Sequence, residues 1–472
     1  MSGQRVGIVG GGISGLAAAW HLVEADPSLQ VVVLDSSDRP GGKLRGGLVA
    51  GVPTDLGAES VLARRPEGVE LAGAVGLADR IVHPAVGTAS IWSRGALHPM
   101  PAGTLMGVPG TPAAALGVLD ADEIARAESE RDRSHPPVGS DLSVGEFVES
   151  RMGPAVVDRL VEPLLGGVYA GHARRLSLQA AVPALWAAAL SGESISAVAE
   201  RAASAAPAAR GPVFAGISGG VFELARTLSS VLTSRGVRIL SGTTVRAVER
   251  TGQGWRLVSG PVPAPEQTLV DAVILAVPGA PAARLLGDVS GQAGRLVGEI
   301  PYASMAIVTL ALPRHGLPPL PGSGFLVPPV EGRGIKAATF SSNKWSWVQA
   351  QAPDLFLLRA SVGREGEEAL LQRSDAELVV AAAADLSAAL GAPLPAPVDS
   401  HVQRWGGALP QYTVGHVERV ARIRELVGAV EGLEVAGAAY DGVGVPACIG
   451  SGRAAAAATL THLRSRAGAG RE

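Results

Sequence analysis

The chain has 472 residues, of which 47% are hydrophobic and 18% are charged, and its formal net charge is −3. This length exceeds what one compact core usually holds and predicts two or three domains, and the apolar content excludes a disordered chain. The slightly acidic balance excludes a basic surface for nucleic acid.

Cysteine content and apolar runs limit where the protein can work. The single cysteine, Cys448, excludes an internal disulfide and a CxxC redox pair, and it indicates a reducing, cytoplasmic compartment. The apolar N-terminus is broken by glycines and lacks the basic region of a signal peptide. No run of 18 apolar residues predicts a membrane span. We expect residues 100–119 to form a buried loop and a short helix, with peripheral contact to a lipid surface as the alternative.

The first 35 residues predict one βαβ unit. Residues 5–10 form a buried strand, residues 13–24 carry a helical apolar stripe, and residues 30–35 form a second strand that ends at the polar turn SSDRPGG. The glycines Gly10, Gly12 and Gly15 make a GxGxxG motif between the first strand and the helix. This pattern predicts two parallel strands that lie side by side with a glycine turn at their carboxyl ends.

The rest of the chain divides by pattern. Residues 143–210 are predicted to be mostly helical, with Ser143 as a helix cap followed by Glu146. Residues 280–400 mix strands with loops rich in proline and glycine. Further elements are predicted as a charged helix within 120–141, a helix at 221–235, strands at 238–250, 255–260, 271–278 and 432–438, and a helix at 452–464. Because both ends of the chain are α/β in character, we expect them to fold together around an inserted middle.

The glycine motif indicates a dinucleotide site. Glycines at these positions permit a tight turn and let backbone N–H groups approach a pyrophosphate at the positive end of a helix. Asp35 closes the second strand, where a carboxylate can accept hydrogen bonds from a ribose hydroxyl. The alternative is a tight strand-to-helix turn without a ligand.

The segment after Asp35 distinguishes FAD from NAD. Arg39, Gly41, Gly42 and Lys43 form an RxGG(K/R) extension that resembles the glutathione-reductase-like FAD family. Three further segments resemble the same family: TDLGAES at 54–60, TTVRAVER at 243–250 and AYDGVGVPACIGSG at 439–452. The resemblance implies FAD as the cofactor, with these contacts: Gly10, Gly11, Gly12, Ile13, Ser14, Gly15, Asp35, Ser36, Gly42, Lys43, Gly57, Ala58, Glu59, Ser60, Val245, Trp405, Val443, Gly444 and Val445.

Motifs in the middle of the chain are more specific. ALHPMPAGTLMGVP, VEPLLGGVYAGHARRLSL, SSNKWSW and RWGGALPQYTVGH resemble the bacterial coproporphyrinogen III and protoporphyrinogen oxidases, and the likeness covers nearly the whole chain. Nothing in FAD binding itself requires these motifs, although Glu162, Tyr169 and Gln411 also suit a packing role. The resemblance favours the soluble branch of the family, which oxidises coproporphyrinogen III.

The resemblance implies a particular chemistry. A porphyrinogen reaches the porphyrin by losing six electrons, so one flavin would act three times, with O₂ as acceptor and H₂O₂ released. Such a substrate needs positioning against the flavin more than it needs a strong acid or base, and no catalytic acid or base is evident. We expect basic side chains to meet the propionates, and the candidates are Arg64, Arg65, Arg174, Arg175, Lys336 and Lys344. The histidines do not pair at ligand spacing, so no metal is assigned, and His172 and His416 are expected to be structural.

The expected fold is α/β, with a glutathione-reductase-like, Rossmann-type FAD-binding domain, an inserted helical domain and a mixed-sheet substrate domain. The predicted boundaries are 1–90, 211–280 and 401–472 for the FAD domain, 91–210 for the helical insertion and 281–400 for the substrate domain. Protoporphyrinogen oxidation, an amine oxidase, a carotenoid desaturase and a non-catalytic flavoprotein remain alternatives. Besides the substrate and O₂, a ferrochelatase or another haem-pathway enzyme is the expected partner.

Overall fold

The computed structural model describes residues 3–204 and 212–469. A five-stranded parallel sheet forms the base of the fold, and the βαβ unit predicted at the N-terminus is confirmed within it. Its strands are nearly all buried on both faces, which explains their continuous runs of Val, Ile and Leu. In sheet order the strands are Arg238–Leu240, Gln30–Leu34, Arg5–Val9, Ala272–Leu275 and Leu433–Val435.

Helices from both ends of the chain cover one face of this sheet. Helix Ile13–Ala25 packs along helix Val445–Ala469 and against helix Phe222–Ser234. The first two helices approach closely at Gly452, where a Cβ atom would lie 2.1 Å from the carbonyl oxygen of Ser14. The expectation that the two ends of the chain fold together is confirmed.

The other face of the sheet packs against an antiparallel sheet and three helices. Leu257 and Val270 of that smaller sheet contact the first strand at Gly7. The antiparallel strands are Val245–Thr251, Gly254–Ser259 and Glu266–Val270, and the helices are Gly279–Leu286, Gly291–Gly298 and His416–Gly428.

A seven-stranded mixed sheet forms the second layer of the molecule. All neighbouring strands are antiparallel except Gly324–Leu326 and Ser90–Ser93, which run parallel. Helix Asp375–Leu390 covers one face of this sheet. In sheet order the strands are Asp399–Pro410, Tyr302–Pro313, Leu355–Val362, Ile335–Thr339, Gly324–Leu326, Ser90–Ser93 and Ala96–Pro99.

The helical part lies between residues 104 and 204. Its hydrophobic core includes Phe147, Leu160 and Leu165, and Ser143 caps a helix by accepting a hydrogen bond from the Glu146 N–H at 3.0 Å, as predicted. The helices are Ala121–Glu128, Val144–Met152, Pro154–Val156, Glu162–Tyr169, Leu178–Ala181, Pro183–Ser191 and Ile195–Ser204, with a π-helical turn at Val157–Val161.

Residues 100–119 form short strands and one 3₁₀ turn rather than a surface helix. Val108, Val118 and Leu119 are buried in the helical core, while Leu116 is exposed. The loop is buried in part, as expected, whereas the expected helix is only the 3₁₀ turn Pro112–Ala115 and the two short strands were not predicted. Within the described ranges, no helix combines the length and the apolar character needed to cross a membrane.

Smaller elements connect these layers. The remaining strands are Gly46–Val49, Val52–Asp55, Val61–Leu62, Ile81–Val82, Thr104–Leu105, Val108–Pro109 and Phe214–Ile217. The remaining helices and 3₁₀ turns are Pro66–Ala74, Ala78–Arg80, Pro112–Ala115, Pro329–Glu331, Ser341–Lys344, Ser346–Gln351, Glu368–Gln372 and Ala438–Asp441.

Strand pairing crosses two of the predicted domain boundaries, those at 90/91 and 400/401. Strands Ser90–Ser93 and Ala96–Pro99 were expected at the start of a helical insertion, yet they extend the seven-stranded sheet. Strand Asp399–Pro410 belongs to that sheet too, since it pairs with Tyr302–Pro313 across the predicted boundary at 400/401. Pairing between distant segments decided both cases. The boundary at 210/211 lies outside the described residues, and the division into domains otherwise stays a prediction.

Candidate active site

The glycine turn sits at the carboxyl end of the first strand. Gly10 adopts φ +109°, and a Cβ atom on Gly15 would lie 1.9 Å from the Gly10 carbonyl oxygen, so both positions require glycine. At Gly12, by contrast, a Cβ atom would have no heavy atom within 4 Å. Gly12 also begins helix Ile13–Ala25 without a side-chain cap, so the turn presents uncapped backbone N–H groups to open space.

Asp35 stabilises this turn from the neighbouring strand. Its buried carboxylate accepts hydrogen bonds from the N–H groups of Gly11 and Ser37, the second at 2.7 Å. The N–H of Thr243 donates to the Asp35 carbonyl at 2.7 Å, which brings the start of strand Val245–Thr251 beside the turn. Ser36 is exposed next to it. The structure therefore brings Asp35, Ser36 and Val245 together at one end of the glycine turn.

Residues 39–43 close over the glycine turn. The N–H of Gly41 donates to the Gly11 carbonyl at 2.7 Å, and a Cβ atom on Gly42 would lie 3.1 Å from the Gly12 Cα. The Lys43 side chain is half-buried, and its amine has no hydrogen bond or ion pair with any described residue. Burial lowers the pKa of Lys43. An interior cation without a partner is costly, and this one suits a site that receives an anionic or electron-rich group.

Residues 56–60 run between Lys43 and the seven-stranded sheet. A Cβ atom on Gly57 would lie 1.9 Å from the Lys43 carbonyl oxygen and 3.2 Å from Cζ2 of Trp405. Trp405 donates its indole N–H to the Leu56 carbonyl at 3.0 Å, and Arg359 donates to the Gly57 carbonyl at 2.5 Å. The segment is held closely to both layers of the molecule.

Glu59 lies at the centre of a buried cluster. Its carboxylate is 3.1 Å from Arg359 and 3.9 Å from Lys344, and it accepts hydrogen bonds from the Ser341 hydroxyl at 2.6 Å and the Trp345 indole at 3.0 Å. Burial alone would raise the pKa of Glu59, but Lys344, Arg359 and these hydrogen bonds lower it overall. Glu59 is therefore a carboxylate at neutral pH.

The C-terminal segment completes the site. Gly442 adopts φ +129°, and the long helix begins at Val445. Val443 packs against the core of the helical part, and Tyr412 donates its hydroxyl to the Ala438 carbonyl. Gly444 lies in this turn, which connects the layer of the five-stranded parallel sheet with the helical part.

The six predicted substrate residues differ in their surroundings. Three form ion pairs with carboxylates, and this neutralises their charge locally: Arg65 with Glu67, Arg174 with Glu149 and Asp158, and Arg175 with Glu365. Lys344 belongs to the Glu59 cluster. Arg64 is exposed and has no partner among the described residues, and Lys336 is buried. Most of these charges already have partners, and the contact of any of the six candidates with the propionates stays a prediction.

The two histidines of the family-like motifs pack against protein groups. The His172 ring is hydrogen-bonded to the Glu365 carbonyl at 3.0 Å. His416 is buried and stacks on Tyr412 with ring centroids 4.0 Å apart. Burial, then Arg419, lowers the pKa of His416 to about 4. Across residues 3–204 and 212–469, no three His, Cys, Asp or Glu side chains are grouped to hold a metal ion.

Packing contacts account for the remaining motif residues. Glu162 is buried and accepts a hydrogen bond from the Ala173 N–H at 3.0 Å, and Gln411 donates to the Tyr169 carbonyl at 2.7 Å. Sequence reasoning missed Arg359, because a single arginine inside an apolar strand gives no local signal. Ser341 and Trp345 lie in the SSNKWSW motif, which was recognised without a role for either.

Comparisons with known proteins agree with this geometry. Residues 13–460 match the family model described as flavin containing amine oxidoreductase. A coproporphyrinogen III oxidase of Mycobacterium tuberculosis (strain H37Rv) is 38% identical over 97% of both chains, and one of Bacillus subtilis (strain 168) is 30% identical over 98% of this chain and 99% of that one. A crystal structure from Exiguobacterium sp. 255-15 aligns with a TM-score of 0.85 and 32% identity over 98% of this chain and 100% of that one.

These matches define first a class and then a family. The protein is an FAD-dependent oxidoreductase with the flavin amine oxidase type of fold. The chain belongs to the flavin containing amine oxidoreductase family and, within it, to the family of the coproporphyrinogen III oxidases. The residues present fit FAD. Gly12 faces open space and adjoins Gly42, and the next residue, Lys43, has an unpartnered amine and a carbonyl that adjoins Gly57.

Proposed function

We propose that the protein oxidises coproporphyrinogen III to coproporphyrin III in haem biosynthesis, in three two-electron steps with O₂ as acceptor and H₂O₂ as second product. The observation that carries this proposal is the 38% identity to a coproporphyrinogen III oxidase across 97% of both chains. A likeness of that extent includes the substrate-side motifs as well as the FAD elements. Protoporphyrinogen IX is the second candidate, since a protoporphyrinogen oxidase of Macaca fascicularis is 29% identical over 97% of this chain.

The proposed contacts with FAD run from the glycine turn at Gly10–Gly15 to the C-terminal turn at Val443–Val445. The N–H groups from Gly11 to Gly15 would bind the pyrophosphate, with Asp35 and Ser36 beside the ribose and the Val245 backbone beside the adenine. When bound, FAD supplies a two-electron acceptor that oxygen can reoxidise. The residues proposed to lie along the flavin are Gly42, Lys43, Gly57, Ala58, Glu59, Ser60, Trp405, Val443, Gly444 and Val445.

The proposed substrate site lies where three parts of the chain meet. We place it between residues 56–60, Trp405 and helix Glu162–Tyr169, a placement supported by the hydrogen bond of the Trp405 indole to the Leu56 carbonyl and by the packing of the helix on the seven-stranded sheet. These elements would hold the macrocycle against the flavin and exclude water, and orientation of this kind accounts for much of the rate of such a step. Arg64 is proposed to attract the propionates electrostatically.

Anaerobic mixing of the purified yellow protein with each porphyrinogen tests the proposal. We expect coproporphyrinogen III to bleach the flavin faster than protoporphyrinogen IX, with porphyrin fluorescence and H₂O₂ after admission of air. Free FAD at the same concentration is the control for non-enzymatic oxidation. Faster reaction with protoporphyrinogen would reverse the substrate, and bleaching by primary amines alone would overturn porphyrinogen oxidation.

We also propose a cytoplasmic location and a ferrochelatase or another haem-pathway enzyme as the partner that receives the porphyrin. The lone, buried cysteine supports the location, since it suits a reducing compartment. Cell fractionation and measurement of porphyrin transfer to a ferrochelatase in the presence of excess apomyoglobin as a trap would test these two points.

A further inference from the structure

The edge strand of the seven-stranded sheet, Asp399–Pro410, has a bulge directly after Trp405. Its register with the neighbouring strand shifts there, so that residues 406–408 lie opposite Ser304 alone. The N–H of Gly407 donates to the Ser304 hydroxyl at 2.9 Å, which fixes the bulge to the sheet. Bulges re-aim a strand and occur often beside active sites. This bulge is therefore a defined part of the fold at the point where the strand leaves Trp405.

Two glycines form the exposed part of the bulge. A Cβ atom on Gly406 or Gly407 would have no heavy atom of the described residues within 4 Å, and both residues are exposed. Gly407 adopts φ +51°, which favours glycine, whereas the φ of Gly406 lies outside the left-handed region. Neither packing nor backbone conformation thus requires a glycine at 406. A glycine inside a strand often marks a place where another group approaches the backbone closely.

The bulge lies between two contacts that border the proposed substrate site. Before it, the Trp405 indole donates to the Leu56 carbonyl at 3.0 Å, next to the segment proposed to lie along the flavin. After it, Gln411 donates to the Tyr169 carbonyl at 2.7 Å, at the end of helix Glu162–Tyr169. The exposed glycines therefore occupy the stretch of strand that runs from the flavin segment to this helix.

Trp405 faces the side of the sheet on which helix Glu162–Tyr169 packs. Alternate residues of a strand share a face, so Trp405 lies on the same side as Gln403, whose row of paired residues across the sheet ends at Leu326. A Cβ atom on Gly167 of the helix would lie 3.7 Å from the Leu326 side chain. The bulge thus adjoins the side of the sheet on which the substrate site is proposed.

We propose that the Gly406–Gly407 bulge receives the rim of the porphyrinogen macrocycle and limits the size of the substrate that the site accepts, a role that rests on the proposed porphyrinogen oxidation. A macrocycle of four pyrroles with substituents around its edge needs an uncrowded wall beside the flavin. Side chains at these two positions would fill the open space next to Trp405. Because glycine has no charge or hydrogen-bonding group in its side chain, the bulge selects by shape.

Thiol labelling of the holoenzyme tests whether a porphyrin covers the bulge, without turnover. Cys448 is the single cysteine and is 8% exposed, so a Gly406→Cys variant has one accessible thiol. The probe is coproporphyrin III, the product of the proposed reaction. At about ten times its Kd, it should slow alkylation of Gly406→Cys by iodoacetamide about tenfold. Alkylation of the wild-type protein gives the background from Cys448.

Gly252→Cys is the matched control. Gly252 is also exposed, its φ also lies outside the left-handed region, and a Cβ atom there would have no heavy atom of the described residues within 4 Å. It lies in the hairpin turn after strand Val245–Thr251, in a different sheet. Coproporphyrin III should therefore leave the alkylation rate of Gly252→Cys unchanged.

Steady-state kinetics test the effect of size. Because a Cβ atom at 406 meets no described protein atom, Gly406→Val should keep the FAD content and melting temperature of the wild type but raise the KM for coproporphyrinogen III about tenfold. Gly406→Ala should raise it less. Flavin reduction by dithionite, which does not use the substrate site, should be unchanged in both variants. Gly252→Val should match the wild type in every respect.

Three results would overturn this role. Equal alkylation of Gly406→Cys with and without coproporphyrin III would mean that the bulge lies outside the porphyrin site. Equal protection of Gly252→Cys would mean that the porphyrin coats the surface. An unchanged KM in Gly406→Val would leave the bulge only the task of protecting the sheet edge. If no porphyrinogen reduces the wild-type flavin, the proposed function fails, while the labelling still decides whether the bulge contacts a porphyrin.

Discussion

Glu59 and Arg359 form an ion pair of 3.1 Å in the interior, and the same guanidinium donates to the Gly57 carbonyl. This one arginine thus joins the seven-stranded sheet to the segment proposed to lie along the flavin. The loss of one member of a buried pair leaves the other as an uncompensated charge.

Replacement of Arg359 should therefore affect stability and cofactor binding together. We expect Arg359→Met to lower the free energy of unfolding by about 3 kcal/mol and to release FAD more readily on dilution. Arg131→Met is the matched control, since Arg131 and Glu200 form an exposed pair whose loss should change stability by less than about 0.5 kcal/mol. Urea unfolding and gel filtration of the holoenzyme provide the measurements. Equal effects of the two variants would contradict a central role for the buried pair.

Replacement by alanine should have different effects at Gly12 and at Gly15 of the glycine motif. A Cβ atom at Gly15 meets the Gly10 carbonyl at 1.9 Å, so Gly15→Ala should destabilise the fold itself by at least about 3 kcal/mol. A Cβ atom at Gly12 meets no protein atom within 4 Å, so Gly12→Ala should fold normally but lose FAD. Circular dichroism melts of the apoproteins and FAD titrations separate the two outcomes. A Gly12→Ala variant with wild-type affinity would place the pyrophosphate elsewhere.

Replacement of Lys43 should stabilise the apoprotein and weaken the binding of FAD. Because its partly buried amine has no partner among the described residues, Lys43→Met should stabilise the apoprotein by about 1 kcal/mol. The same change should weaken FAD binding about tenfold if the amine contacts the cofactor. Melting temperatures with and without FAD test both effects. Lower apoprotein stability in Lys43→Met would show that the amine has a protein partner.

Glu434 should make stability depend on pH. Burial raises the pKa of this carboxyl to about 7, although Arg424 opposes the shift. The folded state therefore binds a proton that the unfolded state releases above its own pKa, and the free energy of unfolding falls as the pH rises from about 4.5 to 7. Because Glu434 is partly exposed, Glu434→Gln should gain only about 1 kcal/mol at pH 8 relative to pH 5. Urea unfolding at both values tests this, and a constant difference would exclude Glu434 as the cause.

Replacement of Arg64, whose charge is unpaired, should affect substrate binding more than replacement of Arg174, whose charge is neutralised by carboxylates. Arg64 lacks a partner among the described residues, so Arg64→Gln should raise the KM for coproporphyrinogen III severalfold, and added salt should reduce the difference. Arg174 already faces Glu149 and Asp158, so Arg174→Gln should leave KM unchanged. Steady-state kinetics at low and high salt provide the comparison. A larger effect at Arg174 would mean that substrate displaces its carboxylate partners.

The glycine motif follows from local sequence pattern, whereas the seven-stranded sheet depends on pairing between distant segments. Strand, turn and helix around Gly10 to Gly15 follow from local pattern, and Asp35 lies near enough in the chain to be placed by the same unit. Ser90–Ser93, in contrast, carries no local sign of its parallel partner Gly324–Leu326. Pairing of such remote segments depends on loop closure over long stretches, which local pattern does not encode.

By itself, the sequence determined the parallel sheet with its dinucleotide turn, the FAD elements and the family, because these rest on short motifs whose spacing one βαβ unit dictates. Only the tertiary structure decided which charges are free. It paired Arg174 and Arg175 with carboxylates, joined Arg359 to Glu59, and left the Lys336 amine in the interior without one. The physical reason is that the pKa and reactivity of a side chain depend on burial and on neighbours within a few ångströms, and the fold brings those neighbours from distant parts of the chain.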